Sequence, residues 1–315
     1  MNEFDLIYQL INTQSISRAD VKTGIGDDCA ILSVPDGYSL AVSMDTLVNG
    51  VHFPESVSAF SIGYKSLAVN LSDLAAVGAI PAWITLSLSL PSVDETWITD
   101  FVKGLFTLAN QHKVQLVGGD MSCGPLSISI QAHGFVKKAL LRCGAKAGDL
   151  IYVSGNIGDA SLGLRSYQGD TAVPENCIRR LNEPQPRVDL GIALNDYASS
   201  CIDISDGLIS DLGHICKQSH CGADIYLKDI PLSDDYKSYF NQQADYTDAM
   251  TFGDDYELCF TVSPKDKQAI ADIARQVATD LTCVGSINTT NQIQCFDQNN
   301  EPVTILKKGF EHFNE

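Results

Sequence analysis

Positive charge is scarce in this sequence. Lysine and arginine total 21 against 39 aspartates and glutamates, a net charge of −18. Nucleic acid and anionic membrane surfaces are held by clustered basic side chains, so neither is expected as a partner. No apolar run approaches the ~18–20 residues of a membrane span. The first residues, Met1-Asn2-Glu3-Phe4-Asp5, have no basic stretch and no apolar core, so no secretory signal is expected. The ten cysteines form no CxxC pair and no Cys/His set at zinc spacing. Unclustered thiols without an export signal read as reduced, buried side chains of a cytoplasmic protein.

Several nucleotide signatures are missing too. There is no GxxxxGK[ST], hence no P-loop. Gly24-Ile-Gly26 starts like a dinucleotide fingerprint but continues Asp27-Asp28-Cys29, whose charges would repel a pyrophosphate. No kinase HRD/DFG set and no GxSxG elbow occurs.

What is present is a globular composition, 44% hydrophobic and 19% charged, over 315 residues, enough for two domains. Ile84–Leu90 and Leu126–Ala132 alternate apolar and polar side chains, the period of strands buried on one face. Tyr38–Met44 reads as a further strand. Helices are expected over Ile62–Val77, closed by Gly78, and over Asp94–His112 with Asp94 as N-cap. A basic stretch, Lys137–Gly148, precedes a second strand–helix series. Its strands are expected at Asp149–Val153, Cys201–Ile204, Glu257–Val262 and Leu281–Ile287. Its helices are expected at Arg187–Ala198, Asp206–Lys217 and Lys265–Val277. Two α/β domains follow, 1–145 and 146–315.

The aspartates fall where apolar strands end or helices begin. They stand in Gly24-Ile-Gly-Asp-Asp28, Ser43-Met-Asp45, Asn70-Leu-Ser-Asp73, Gly118-Gly-Asp120, Asp203-Ile-Ser-Asp206 and Gly253-Asp-Asp255. Each alone could be a turn former or helix cap. Together they point to magnesium ions around a polyphosphate, because carboxylates among apolar neighbours need a cation and magnesium takes oxygen ligands. Ser66, Asn70 and Asp73 make a polar stripe on an otherwise apolar helix, the side expected to line a site. Gly118-Gly119 would let backbone approach a phosphate, and Arg142 is a candidate clamp for one. His52 and His133 read first as structural histidines, and Phe310 as a core aromatic that could also stack on a flat ring.

In order, GIGDDCAIL, AVSMDTLVNGVHF, IGYKSLAVNLSDLAAVGA, QLVGGD, RCGAKAGDLIYVSG, IDISDGLISDLGHI and FGDDYELCF resemble the bacterial thiamine-monophosphate kinases. Those enzymes lie within the aminoimidazole-ribotide-synthetase-like superfamily. The likeness implies a mixed α+β fold of two domains, with an N-terminal ATP- and metal-binding domain whose sheet forms a barrel across a homodimer. It implies magnesium-assisted, direct transfer of the γ-phosphoryl group of ATP to thiamine monophosphate, the last step in making thiamine diphosphate. Carried over by motif, Asp28, Ser43, Met44, Asp45, Asp73, Asp120, Asp203 and Asp206 would hold magnesium. Gly119, Asp120, Arg142 and Ser205 would meet the nucleotide, with Asp120 and Asp206 central to catalysis. His52, Asp254 and Phe310 would lie near thiamine monophosphate. The sequence departs from the pattern at Met44 (often Thr), Asp254 (a longer acid), Phe310 (Tyr or Trp) and Met121-Ser122-Cys123 (Thr-Thr-Arg in some relatives). The absence of cysteine from residues 1–26 argues against a selenophosphate synthetase of the same superfamily.

Overall fold

The computed structural model describes residues 13–242 and 245–305. The chain divides into two compact units. One comprises the residues up to Leu74 and Ala79–Lys137; the other comprises Ala75–Gly78 and the residues from Lys138 onward.

The first unit holds β1 (Val21–Thr23), β2 (Ile31–Leu32), β3 (Ser39–Val48), all but the last two residues of α1 (Ala59–Ala76), β4 (Ile80–Leu90), α2 (Glu95–Gln111), β5 (Gln115–Cys123) and β6 (Ser127–Val136). β1 and β2 form a small antiparallel pair, and the other four make a sheet in the order β3-β6-β4-β5. β3 and β5 are therefore its edges. Strand β4 shows the expected alternation. Ile84, Leu86, Leu88 and Leu90 are buried while Ser87 is exposed, and Ile128, Ile130 and Ala132 of β6 continue the buried face. Asp94 caps α2 as expected, accepting hydrogen bonds from the backbone N–H groups of Thr96 and Trp97. The two helices touch through glycines. A Cβ on Gly63 of α1 would lie 2.1 Å from the Phe101 carbonyl oxygen, and one on Gly104 of α2 would lie 1.9 Å from that of Phe60. Only glycine allows this approach. Gly78 ends α1 with φ of 68°, and the N–H of Ala79 reaches back to the Leu74 carbonyl.

The second unit holds β7 (Leu150–Ser154), α3 (Asp159–Tyr167), α4 (Glu175–Asn182), α5 (Val188–Leu194), β8 (Ala198–Asp203), α6 (Leu208–Ser219) and β9 (Gly222–Tyr226). It continues with α7 (Asp234–Tyr239), α8 (Tyr246–Thr251), β10 (Leu258–Val262), α9 (Lys267–Gln276), β11 (Leu281–Asn288), β12 (Ile293–Phe296) and β13 (Pro302–Val303). Its sheet runs β13-β12-β9-β11-β7-β10-β8; every pairing is antiparallel except β12 with β9. The helix expected over Arg187–Ala198 stops at Leu194. There the Asn195 amide donates to the Gly78 carbonyl, and Tyr197 N–H closes a turn onto Leu194. Ala198 is already in β8.

Six of the ten cysteines are buried, Cys29, Cys123 and Cys143 are exposed, and none is in a disulfide. No described helix is long and apolar enough to cross a membrane.

Candidate active site

In the first unit the polar groups gather between β3 and α1. Pleating sends Ser43 and Asp45 to the face of β3 that meets α1, and Leu40, Val42 and Met44 to the other. The Ser43 hydroxyl donates to the Asp73 carboxylate on α1. Asp45 lies against the same carboxylate. Burial, and next the charge of Asp73, raise its pKa from 3.8 to about 6. Two carboxylates forced together out of water repel, and the proton is retained by one of them.

The expected polar stripe on α1 is only partly turned to this site. Ser66 donates to the Ile62 carbonyl and the Asn70 amide to the Ser66 carbonyl, so both satisfy helix backbone; Asp73 alone is seen to reach β3. Met44 is 60% exposed, its side chain on the face opposite Ser43 and Asp45. Any contribution it makes to a ligand set beside them comes from its backbone.

Asp28 is exposed in the loop between β1 and β2. Gly119 and Asp120 are exposed on β5. Gly119 is needed there for packing, because a Cβ would stand 2.0 Å from the Leu86 carbonyl oxygen of β4. Asp120 is not brought to Asp45 and Asp73 within this sheet. β3 and β5 are opposite edges, three strand spacings or about 14 Å apart. His52 Nδ1 accepts the Val48 N–H at 3.0 Å and so shapes the turn after β3. His133 packs beside Trp83, and burial lowers its pKa.

In the second unit two loops at the end of the β8–β10 pair carry the acidic motifs. Residues 204–207 follow β8 and residues 253–257 lead into β10. They pair backbone to backbone: Asp254 N–H to the Ser205 carbonyl at 2.9 Å, Tyr256 N–H to that of Ile204 at 2.9 Å, and Ile204 N–H to that of Glu257 at 2.7 Å. Gly253 permits this contact, since its Cβ would lie 1.8 Å from the Ser205 oxygen. Asp254 and Tyr256 have φ of 67° and 51°, a left-handed backbone that side chains seldom adopt outside sites that enforce it. The Tyr256 hydroxyl bonds to Asp254 Oδ1 at 3.1 Å. Asp203 is buried at the end of β8, while Ser205 and Asp206 are half-buried beyond it.

Sequence reasoning missed Asp211 and Glu257, which hold these loops, and named Asp255 only as part of an acidic motif. Asp211 of α6, 2% exposed, accepts the N–H groups of Ser205 and Asp206 at 3.0 Å each. Burial raises its pKa to about 7, against the pull of those two bonds and of Arg142, whose charge acts on it. Arg142, Ser205 and Asp206 are thus gathered around one carboxylate. Asp255 accepts the Gly158 N–H with both oxygens, and burial pushes its pKa well up. Glu257 is fully buried. Arg187 grips it through Nε and Nη2, Arg180 binds it through Nη2, all at 2.6 Å, and the Ser154 hydroxyl donates to it at 2.5 Å. One signal for Asp211 was available: it falls on the apolar face of α6 with Leu208, Leu212 and Ile215, where a carboxylate needs donors. Phe310 lies outside the described residues.

Ser43, Asp45 and Asp73 offer only hard oxygen donors, and two of the three are carboxylates in mutual repulsion. That set fits a divalent cation such as magnesium. Among the described residues no group of three or more His, Cys, Asp or Glu side chains is placed to hold a metal ion.

Two segments match one family: residues 26–136 match the AIR synthase related protein N-terminal domain, and 146–297 its C-terminal domain. The thiamine-monophosphate kinase of Escherichia coli (strain K12) is 46% identical over 318 residues, covering 99% of this chain and 98% of that one. The chain belongs to the thiamine-monophosphate kinase family. A crystal structure of thiamine-monophosphate kinase from Stenotrophomonas maltophilia K279a superimposes with a TM-score of 0.88 at 41% identity, covering 96% of this chain and 98% of that one. The structure described as AaThiL complexed with AMPPCP and TMP gives 0.79 at 28% identity, covering 99% and 97%. Within the family match, Asp28, Ser43, Asp45, Asp73 and Asp120 fall in the N-terminal domain and Asp203, Ser205, Asp206 and Asp254 in the C-terminal one. Arg142 lies between the two matched segments.

Proposed function

We propose that the protein transfers the γ-phosphoryl group of ATP to thiamine monophosphate, yielding thiamine diphosphate and ADP, in the cytoplasm. The observation that carries this reading is near-full-length identity of 46% to a thiamine-monophosphate kinase. A relative of the same fold with an ATP analogue and thiamine monophosphate bound supports it. The bond between the γ-phosphorus and the β-phosphate bridging oxygen breaks, and a phosphate oxygen of thiamine monophosphate takes its place. That oxygen is already ionised at neutral pH, so no strong general base is required. The residues' task is to align two anions that repel. Asp28, Ser43, Asp45, Asp73, Asp120, Asp203 and Asp206 would hold magnesium, with Met44 joining through its backbone. Bound there, the metal neutralises charge on the facing phosphates. Gly119, Asp120, Arg142 and Ser205 meet the nucleotide; His52, Asp254 and Phe310 orient thiamine monophosphate.

Thiamine diphosphate formation by the pure protein from thiamine monophosphate, ATP and Mg²⁺ tests this reading directly, and no product would overturn it. With ATP chiral at the γ-phosphorus, one displacement gives inversion. Retention would instead require a phosphoenzyme.

The assembly we propose is a homodimer whose two four-stranded sheets close into a barrel. Leu40, Val42 and Met44 expose 42%, 51% and 60% of their surface on edge strand β3, an apolar row that an isolated edge does not normally leave open. Closure sets edge β3 of one protomer beside edge β5 of the other, carrying the partner's Asp120 toward the acidic pair. Val42→Lys should therefore shift sedimentation from dimer to monomer and lower kcat together. A monomeric wild type would refute the assembly.

A further inference from the structure

The backbone of Ile204 and Ser205 is tied down on both sides. Ile204 uses its N–H on Glu257 and its carbonyl on Tyr256, and Ser205 gives its carbonyl to Asp254. Two further donors of the loop, the N–H groups of Ser205 and Asp206, both end on Oδ2 of Asp211. That side chain sits one turn inside α6, whose own N–H at Asp211 bonds the Gly207 carbonyl. It reaches back past the helix start, as the acidic member of a capping box does, but to a loop that carries two site residues. An amide or a hydroxyl would also satisfy two N–H donors. A carboxylate in that place stands close enough to Asp206 for the two charges to repel, and Arg142 supplies the opposing positive charge.

We propose that Asp211 is a positioning residue of the phosphoryl-transfer site, its carboxylate fixing the Ser205–Asp206 peptides so that the Ser205 hydroxyl and Asp206 carboxylate meet nucleotide and metal in one orientation. This rests on the roles given to Ser205 and Asp206 under the proposed function. Asp211 acts through those two residues and touches neither substrate. The essential property is an acceptor oxygen at one place, so shape matters more than charge. Asp211→Asn keeps that oxygen; Asp211→Glu keeps the charge but moves the oxygen by a methylene; Asp211→Ala removes both.

The test compares these variants with wild type by melting temperature, by kcat as a function of Mg²⁺ concentration, and by calorimetric titration of Mn²⁺ into protein with a non-hydrolysable ATP analogue. Asp211→Asn should stay within about fivefold of wild-type kcat. Asp211→Glu and Asp211→Ala should lose about 100-fold, the scale of a displaced reacting geometry. They should also need about tenfold more Mg²⁺ for half-saturation and bind Mn²⁺ about tenfold more weakly. A fall in melting temperature without change in cation dependence would make Asp211 a purely structural residue and overturn the proposal. So would an active Asp211→Glu beside an inactive Asp211→Asn, because charge would then be the operative property. If neither the Glu nor the Ala variant folds, Asp211 belongs to the folding of the unit and the proposal fails as well. Wild-type turnover is measured in the same series. Its absence would count against the kinase reading; wild-type turnover with undisturbed variants would count against Asp211 alone.

Discussion

Asp45→Asn should raise the melting temperature at pH 7.5 in the presence of a chelator by about 5–10 °C while lowering kcat about 100–1,000-fold. Burial and the facing Asp73 raise the Asp45 pKa from 3.8 to about 6. The native protein thus holds this proton more tightly than the unfolded chain does. Raising the pH from about 4 to 6 ionises a group the fold prefers neutral, and stability falls across that window. Above pH 6 the whole penalty is present, about 3 kcal/mol at ~1.4 kcal/mol per pH unit. An amide removes the penalty, so most of the stabilisation should be gone at pH 4, where the native carboxyl is protonated and the unfolded one about half so. Adding Mg²⁺ should reverse the order, because a cation that binds only the native wild type stabilises it selectively. Melting curves at pH 4 and 7.5, each with chelator and with Mg²⁺, check all four expectations. A variant less stable than wild type at pH 7.5 in chelator would show that the two carboxylates do not oppose each other.

Glu257→Ala should destabilise the second unit by about 3–5 kcal/mol, read from urea unfolding. The carboxylate is wholly buried, and Arg180 and Arg187 have side chains only 14% and 17% exposed. Removing the anion leaves two desolvated guanidinium groups facing each other, together with the Ser154 hydroxyl that bonded it. Most of that loss should return in the triple variant Glu257→Leu, Arg180→Met, Arg187→Met, since apolar packing can replace a complete buried ion group at little cost. A triple variant no better than Glu257→Ala would mean that the geometry of the 253–257 loop, and not unpaired charge, sets the effect. In that second outcome Asp254, three residues away on the same loop, should shift as well, and KM for thiamine monophosphate should rise.

Patterns governed by one local rule were legible in the sequence. The alternation of Ile84–Leu90 and Leu126–Ala132, the Asp94 cap and the Gly78 stop reflect neighbours a few residues apart, and each stands where expected except that β6 begins at Ser127, one residue after Leu126. Elements whose reason is distant were not. α3 and α4 lie against each other through Gly163, whose Cβ would sit 2.4 Å from the Cys177 carbonyl; fourteen residues of chain give no hint of that contact. The acidic motifs pointed to Asp45, Asp73 and Asp206 because charge beside apolar sequence is visible in one dimension, whereas Ser205 was named through the family likeness alone. Asp211 and Glu257, and the structural task of Asp255, were hidden for the converse reason. Their donors, Ser205 and Asp206, Gly158, and Arg180 with Arg187, become neighbours only once the strands pair.

Strand β3 sorts its side chains by parity. Ser43 and Asp45 go to one surface, Leu40, Val42 and Met44 to the other. Inserting or deleting one residue upstream in the strand would exchange the two sets, pressing carboxylates into a greasy seam and baring methyl groups where ions should sit. Length drift in this stretch should thus be tolerated only in steps of two, so that chemistry and assembly stand or fall on a single count.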